Sequence, residues 1–328
     1  MGSHLDKPVT EKDSENHTLH GGLLHCASAM QGWRVSMEDA HYGGTIDIGD
    51  NTPGSLVAVF DGHGGRLVAM EAAKRIQPKL EGMLRGVDSR DPLAIGTAMQ
   101  AGFLSLDEDL KKLPTIVSDD DQSGCTAIVA IITDMHFIVA NAGDARAILM
   151  QGDNTVKAMS FDHKPTNPEE TARIEAAGGC VSMHRVNGDL AVSRALGDFS
   201  FKQNASVPAK DQMVSAFPDI EIAERDGKEQ FLLLCCDGIW DVMSNDDAGA
   251  FVKEKIEGKY KGESLSKVSE RLLDKCLEKG SKDNMSAVVV VNPEAITPGE
   301  LEKPPEVIFA EQQAAEEEYG ASERTHRL

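Results

Sequence analysis

A gap of three residues constrains this chain more than any other feature. The apolar run Thr126–Ile132 is followed by Thr133-Asp134-Met135 and then by a second run, His136–Ala140. A parallel neighbour needs a crossover of about a dozen residues or more, so strands this close in sequence must pair antiparallel. Asn141-Ala142-Gly143-Asp144 then turns the chain into a third run, Ala145–Met150. Ser55–Phe60, Phe231–Cys236 and Ala287–Val291 are short, apolar and rich in Val, Leu or Ile, and also read as strands. Helices are predicted at Arg66–Leu80, where Leu67, Met70, Ala73, Ile76 and Leu80 fall on one face, and at Glu263–Lys279. A third begins at Asn167-Pro168-Glu169-Glu170, with a capping residue, Pro at the first helical position and acids in the first turn, and ends at Gly178-Gly179. Sequential antiparallel strands with helices elsewhere predict an α+β fold of packed sheets flanked by helices, not a doubly wound parallel sheet.

The chain has 328 residues, of which 41% are hydrophobic, enough for a sizeable core. Residues 1–22 are polar and without period, and read as a tail or an entering edge strand. Residues 23–293 carry the alternating elements and form the expected domain. Residues 294–328 are rich in Glu against Lys303, Arg324 and Arg327, and are expected to be mobile or only locally helical. No stretch approaches the roughly 18 apolar residues of a membrane span, and no apolar h-region opens the chain. The net charge of -21 argues against a nucleic-acid partner. It would also repel anionic substrates unless bound divalent metal inverts the field locally. Cys26, Cys125, Cys180, Cys235, Cys236 and Cys276 form no C-x-x-C pair and read as reduced thiols of an intracellular protein.

The informative acids lie at the ends of apolar strands, beside glycine, where a rigid element holds the carboxylate and the backbone can approach a ligand. Ser55–Phe60 runs into Asp61-Gly62-His63-Gly64-Gly65, and Phe231–Cys236 into Asp237-Gly238-Ile239-Trp240-Asp241. His136–Ala140 runs into the turn that holds Asp144, and Asp283-Asn284 precede Ala287–Val291. Glu38-Asp39 add two adjacent carboxylates. Asp-Gly alone is an ordinary turn. Several such ends in one chain point to convergent carboxylates, which repel one another unless cations lie between them. Hard oxygen donors point to Mg2+ or Mn2+.

Gln31-Gly32-Trp33-Arg34-Val35-Ser36-Met37-Glu38-Asp39-Ala40-His41 resembles the opening signature of type 2C protein phosphatases. Asp61–Gly65, Ser123–Ala127, Asn141–Arg146, Asp162–Pro165, Arg185–Gly188, Leu190–Asp198, Asp237–Asp241 and Gly280–Ser286 follow in that family's order. The resemblance covers roughly residues 23–292. It implies a four-layer αββα sandwich of two central antiparallel β-sheets flanked by helices. It also implies metal-dependent hydrolysis of phosphoserine and phosphothreonine by hydroxide held between two Mg2+ or Mn2+ ions, without a phosphoenzyme. Carried over by position, Asp61 bridges two metals, and Glu38, Asp237 and Asp283 complete the carboxylates. Gly62 offers its carbonyl, and Asp39 acts through water. Asp144 belongs to a weaker third metal shared with Asp237, and Asp241 stands behind the ligands. Arg34 grips the substrate phosphate. His63 protonates the leaving oxygen, and about Thr166–Arg185 forms a variable flap. Phosphoproteins are the implied partners of a monomeric cytoplasmic or nuclear enzyme.

Other classes fit less well. A cysteine-nucleophile phosphatase needs an arginine six residues beyond the cysteine, and no cysteine here has one. Asp119–Gly124 opens like a calcium-binding EF-hand loop, but position 12 is Ala130 where a bidentate Glu is required. A binuclear zinc or iron phosphoesterase lacks its Gly-Asn-His-Glu segment. A catalytically inactive type 2C scaffold would have lost ligands, and every motif acid and His63 are present. Met1-Gly2 opens like an N-myristoylation signal, although Asp6 stands where Ser or Thr is usual and Gly2-Ser3-His4 also resembles a vector remnant. One such lipid would give only weak, reversible membrane association.

Overall fold

The computed structural model describes residues 4–257 and 265–295. Gly2, Glu263 and the tail from residue 296 onward lie outside the described residues. Six strands form one antiparallel sheet in the order His4–Thr18, Leu24–Arg34, Met285–Val291, Phe231–Cys235, Arg146–Met150, Val156–Ala158. Five form another, in the order Asp219–Glu224, His136–Ala142, Ala127–Ile132, Pro53–Phe60, Ala40–Asp47. The pair separated by Thr133-Asp134-Met135 is antiparallel, with Ala130 opposite Val139.

Strand alternation produces the layers. In Pro53–Phe60, Val57 and Val59 join Val290 and Leu232 of the six-stranded sheet in the central core. Leu56, Ala58 and Phe60 point the other way, against Ile76, Leu80 and Phe103 of the helices Leu67–Leu84 and Pro92–Leu110. The helices Asn245–Glu257 and Ser266–Glu278 cover the outer face of the six-stranded sheet, through Val252, Leu272 and Leu273. The result is helix, sheet, sheet, helix. Each fully buried Val, Ile, Leu or Phe contributes about 1.5–3 kcal/mol of transfer free energy to that stack. Among the described residues no helix is long and apolar enough to cross a membrane.

Several local expectations shift. Met70 is half exposed, and the buried stripe of the first helix runs Val68, Ala72, Ile76, Leu80, Leu84. That stripe keeps a spacing of four and carries the helix past Pro78. The helix Pro92–Leu110 escaped the sequence reading. Asp91 caps it, its carboxylate accepting from the backbone N–H groups of Leu93 and Ala94 at 2.9 and 3.2 Å. Asn167 precedes Pro168–Ala176 but does not cap it by its side chain; its Nδ2 donates to the Asp162 carbonyl at 2.8 Å instead. His4–Thr18 is an edge strand along Leu24–Arg34, with Lys12 tied to Asp274 at 2.7 Å.

Candidate metal centre

Both sheets end at one place. Asp61 leaves the five-stranded sheet after Phe60, Asp237 leaves the six-stranded sheet after Cys235-Cys236, and Asp144 lies on the turn that carries the chain from one sheet to the other. Carboxylate oxygens of Asp61, Asp144 and Asp237 lie within 4.8 Å of one another. Burial raises the Asp237 carboxyl well above the usual range, and the charges of Asp144, Asp283 and Asp241 push it the same way. Burial does the same to Asp61, with Asp237, Asp39, Asp144 and Asp283 adding repulsion. Asp39 is pushed up to about 7 by burial, against the Ser286 hydroxyl that donates to its Oδ2 at 2.7 Å. Burial raises Asp241 as well.

The arrangement fits hard divalent cations. Its donors are all oxygen, and Asp237 Oδ1 and Asp39 Oδ1 are buried with no hydrogen-bond partner. A buried acceptor left so costs about 1–3 kcal/mol unless something binds it. Asp61, Asp237 and Asp144 are the residues that would hold such ions, with Asp283, Asp39 and Asp241 close enough to act on the same charges.

Glu38 is not among the three carboxylates that converge within 4.8 Å, and Gly62 follows Asp61 directly in the chain. The Glu38 carboxylate accepts from Ser36 Oγ at 2.8 Å and from the Gly65 N–H at 3.3 Å. Gly62 packs so closely on the Glu38 backbone that a methyl group there would overlap the Glu38 carbonyl oxygen. Position 62 therefore admits only glycine in this backbone. Arg34 donates to Asp283 Oδ2 at 2.5 Å and remains partly exposed.

Four residues given no role from sequence complete the site. Asp198 accepts from His63 Nε2 at 2.7 Å. Burial works against the His63 imidazolium, but the Asp198 carboxylate outweighs it, and the ring titrates above its ordinary value. Lys164 Nζ meets Asp144 Oδ2 at 2.5 Å and supplies a positive charge at the rim. Asn284 joins the two halves of the rim. Its Nδ2 donates to the carbonyls of Gln31 and Ser36 at 2.8 and 2.9 Å, and its Oδ1 accepts from the Glu38 N–H at 2.9 Å. Ser286 is the fourth, holding Asp39. Asn284 sits 246 positions from Glu38, so no local pattern could have announced it. Asn284→Ala removes three hydrogen bonds and leaves partners unpaired, and is expected to cost ~2–4 kcal/mol in urea unfolding. A loss below about 1 kcal/mol would show that water replaces the amide.

The segment expected to be a flap holds the helix Pro168–Ala176 and the short pair Val181–Ser182 and Arg185–Val186. Its base is locked. Glu170 is buried between Arg173 and Arg194, at 2.7 Å from each. Arg194 also holds Asp219 at 2.6 Å, whose other oxygen accepts from His163 Nε2 at 3.1 Å. His163 Nδ1 accepts from the Gly143 N–H at 3.2 Å, so the chain of contacts ends at the backbone beside Asp144.

The family described as Protein phosphatase 2C matches residues 24–285. A Caenorhabditis elegans relative, Protein phosphatase ppm-1.A, is 40% identical over 312 residues, which are 90% of this chain and 64% of that protein. Protein phosphatase 2C homolog 2 of Schizosaccharomyces pombe is 41% identical, over 88% of this chain and 78% of that one. Protein phosphatase 1B of Mus musculus is 40% identical, over 88% and 75%. A crystal structure of a phosphatase from Toxoplasma gondii superposes with a TM-score of 0.71 at 26% identity, covering 90% of this chain and 98% of that one. On the strand-end carboxylates, the paired antiparallel sheets and these likenesses together, the chain belongs to the protein phosphatase 2C family.

Proposed function

We propose that the protein hydrolyses phosphoserine and phosphothreonine in protein substrates and requires Mg2+ or Mn2+. The observation that carries this reading is the convergence of Asp61, Asp144 and Asp237 from two sheets, flanked by one guanidinium and one imidazole. When bound there, divalent cations acidify a water and neutralise charge on the phosphate. Arg34 offers a planar fork that matches phosphate oxygens, and Asp283 keeps it at the rim until an anion competes for it. His63 holds the proton. Its Nε2 is fixed by Asp198, so the remaining ring nitrogen carries the proton that the departing serine or threonine oxygen needs. Lys164 restrains Asp144 and adds positive charge to a protein of net charge -21.

The test is phosphate release from phosphoserine, phosphothreonine and phosphotyrosine peptides with added Mg2+, Mn2+ or Ca2+, with and without chelator. Activity should vanish in chelator, return with Mg2+ or Mn2+, and stay low with Ca2+, whose larger, looser coordination shell suits water activation poorly. Full turnover in excess chelator would overturn the metal requirement, and preference for phosphotyrosine would overturn the substrate class.

A further inference from the structure

A second group of ligand atoms lies away from the carboxylates, where the open edges of the two sheets meet. Glu15 and His17 are two apart on the edge strand His4–Thr18 and so share a face. His17 stands opposite His25 of the next strand. One ligand atom from each of Glu15, His17 and His25 lies within 4.8 Å of the others. The rings of His17 and His25 are 4.4 Å apart and tilted by 30°. From the other sheet, His41 brings its Nε2 to 3.6 Å from the Glu15 carboxylate.

His25 has no structural explanation of its own. It is fully buried, and neither Nδ1 nor Nε2 has a hydrogen-bond partner. The ring fits only because residue 43 is glycine, since a methyl group there would collide with it. A buried imidazole with both nitrogens unpaired is costly. Leu or Phe would fill the space without that cost. The neighbours His17 and Glu15 sit progressively closer to solvent, so the group opens outward along one path.

We propose that Glu15, His17 and His25 form a zinc site, with His41 orienting the Glu15 carboxylate. Two neutral imidazoles and one carboxylate are a donor set suited to Zn2+, and a borderline ion prefers them to the all-oxygen carboxylate cluster, which suits Mg2+ or Mn2+. The site would pin the edge strand to the sandwich.

The test uses full-length protein carrying Asp61→Asn and Asp237→Asn, which disables the carboxylate cluster, in buffer with excess Mg2+. After dialysis against micromolar Zn2+, one equivalent of zinc should remain, and X-ray absorption should show imidazole ligation at about 2.0–2.1 Å. Adding His17→Gln, at a partly exposed position that the fold tolerates, should remove that equivalent. Adding His41→Gln should weaken binding about 10–100-fold without abolishing it. Far-ultraviolet dichroism checks that each variant is folded. The proposal is overturned if folded protein keeps no zinc, if zinc binds equally after His17→Gln, or if the absorption spectrum shows sulfur or oxygen ligands only.

Discussion

Asp61→Asn is expected to reduce turnover on phosphopeptides by about 10²–10³-fold or more while making the metal-free protein more stable. The two effects share a cause. Burial and the charges of Asp237, Asp39, Asp144 and Asp283 all disfavour an ionised Asp61, so its carboxylate is a burden on the empty fold. An amide keeps the shape and removes one repelling charge. In chelator the variant should therefore melt above the wild type, by roughly 2–4 °C for each kcal/mol of relieved repulsion. In millimolar Mg2+ the order should reverse, because ions bind the folded wild type and stabilise it by mass action. Differential scanning calorimetry of both proteins, with and without Mg2+, reads this crossing. A variant that melts lower than wild type under both conditions would mean that Asp61 stabilises the fold without any ion.

His63→Gln should slow hydrolysis of phosphoserine and phosphothreonine peptides by about 10²–10⁴-fold, the usual worth of a positioned general acid. An aryl phosphate has a leaving oxygen that needs no proton, and its rate should fall far less. Asp198→Asn keeps the ring in place but removes the carboxylate that favours its protonated form, so it should show the same substrate asymmetry with a smaller loss. Equal losses on alkyl and aryl substrates would make His63 a structural residue. Steady-state rates on the two substrates, measured side by side, decide it.

The acids of the site were legible because each of Asp61, Asp144 and Asp237 terminates or links apolar strands, and a strand end is visible in sequence. The packed antiparallel sheets were legible from the three-residue gap at Thr133-Asp134-Met135, and the four layers came from the family resemblance. The partners of those acids were not. Asp198 reaches His63 across 135 positions, Lys164 reaches Asp144 across the strand pair Arg146–Met150 and Val156–Ala158, and Asn284 ties segments from opposite ends of the domain. Such pairs are set by how the sheets stack, and no window along the chain contains them. The first helix shows a milder version. Met70 fits a helical period as well as Val68 does, and only contact with the sheet decides which is buried. Glu170 read only as a first-turn acid, yet two arginines enclose it.

The strand Met285–Val291 lies in the interior of the six-stranded sheet, between Leu24–Arg34 and Phe231–Cys235. Synthesis runs from the N-terminus, so this strand is among the last described segments to leave the ribosome. Until it does, Leu24–Arg34 has no neighbour on that side, Arg34 has no Asp283, and the Glu38 loop has no Asn284. The nascent protein therefore carries Asp61, Asp144 and Asp237 before the Arg34–Asp283 pair and the Asn284 tie exist. Arg34, Asp283 and the Glu38 loop come together only when the two ends of the domain meet, so a chain that stops short of Asp283 is expected to be inert instead of indiscriminate.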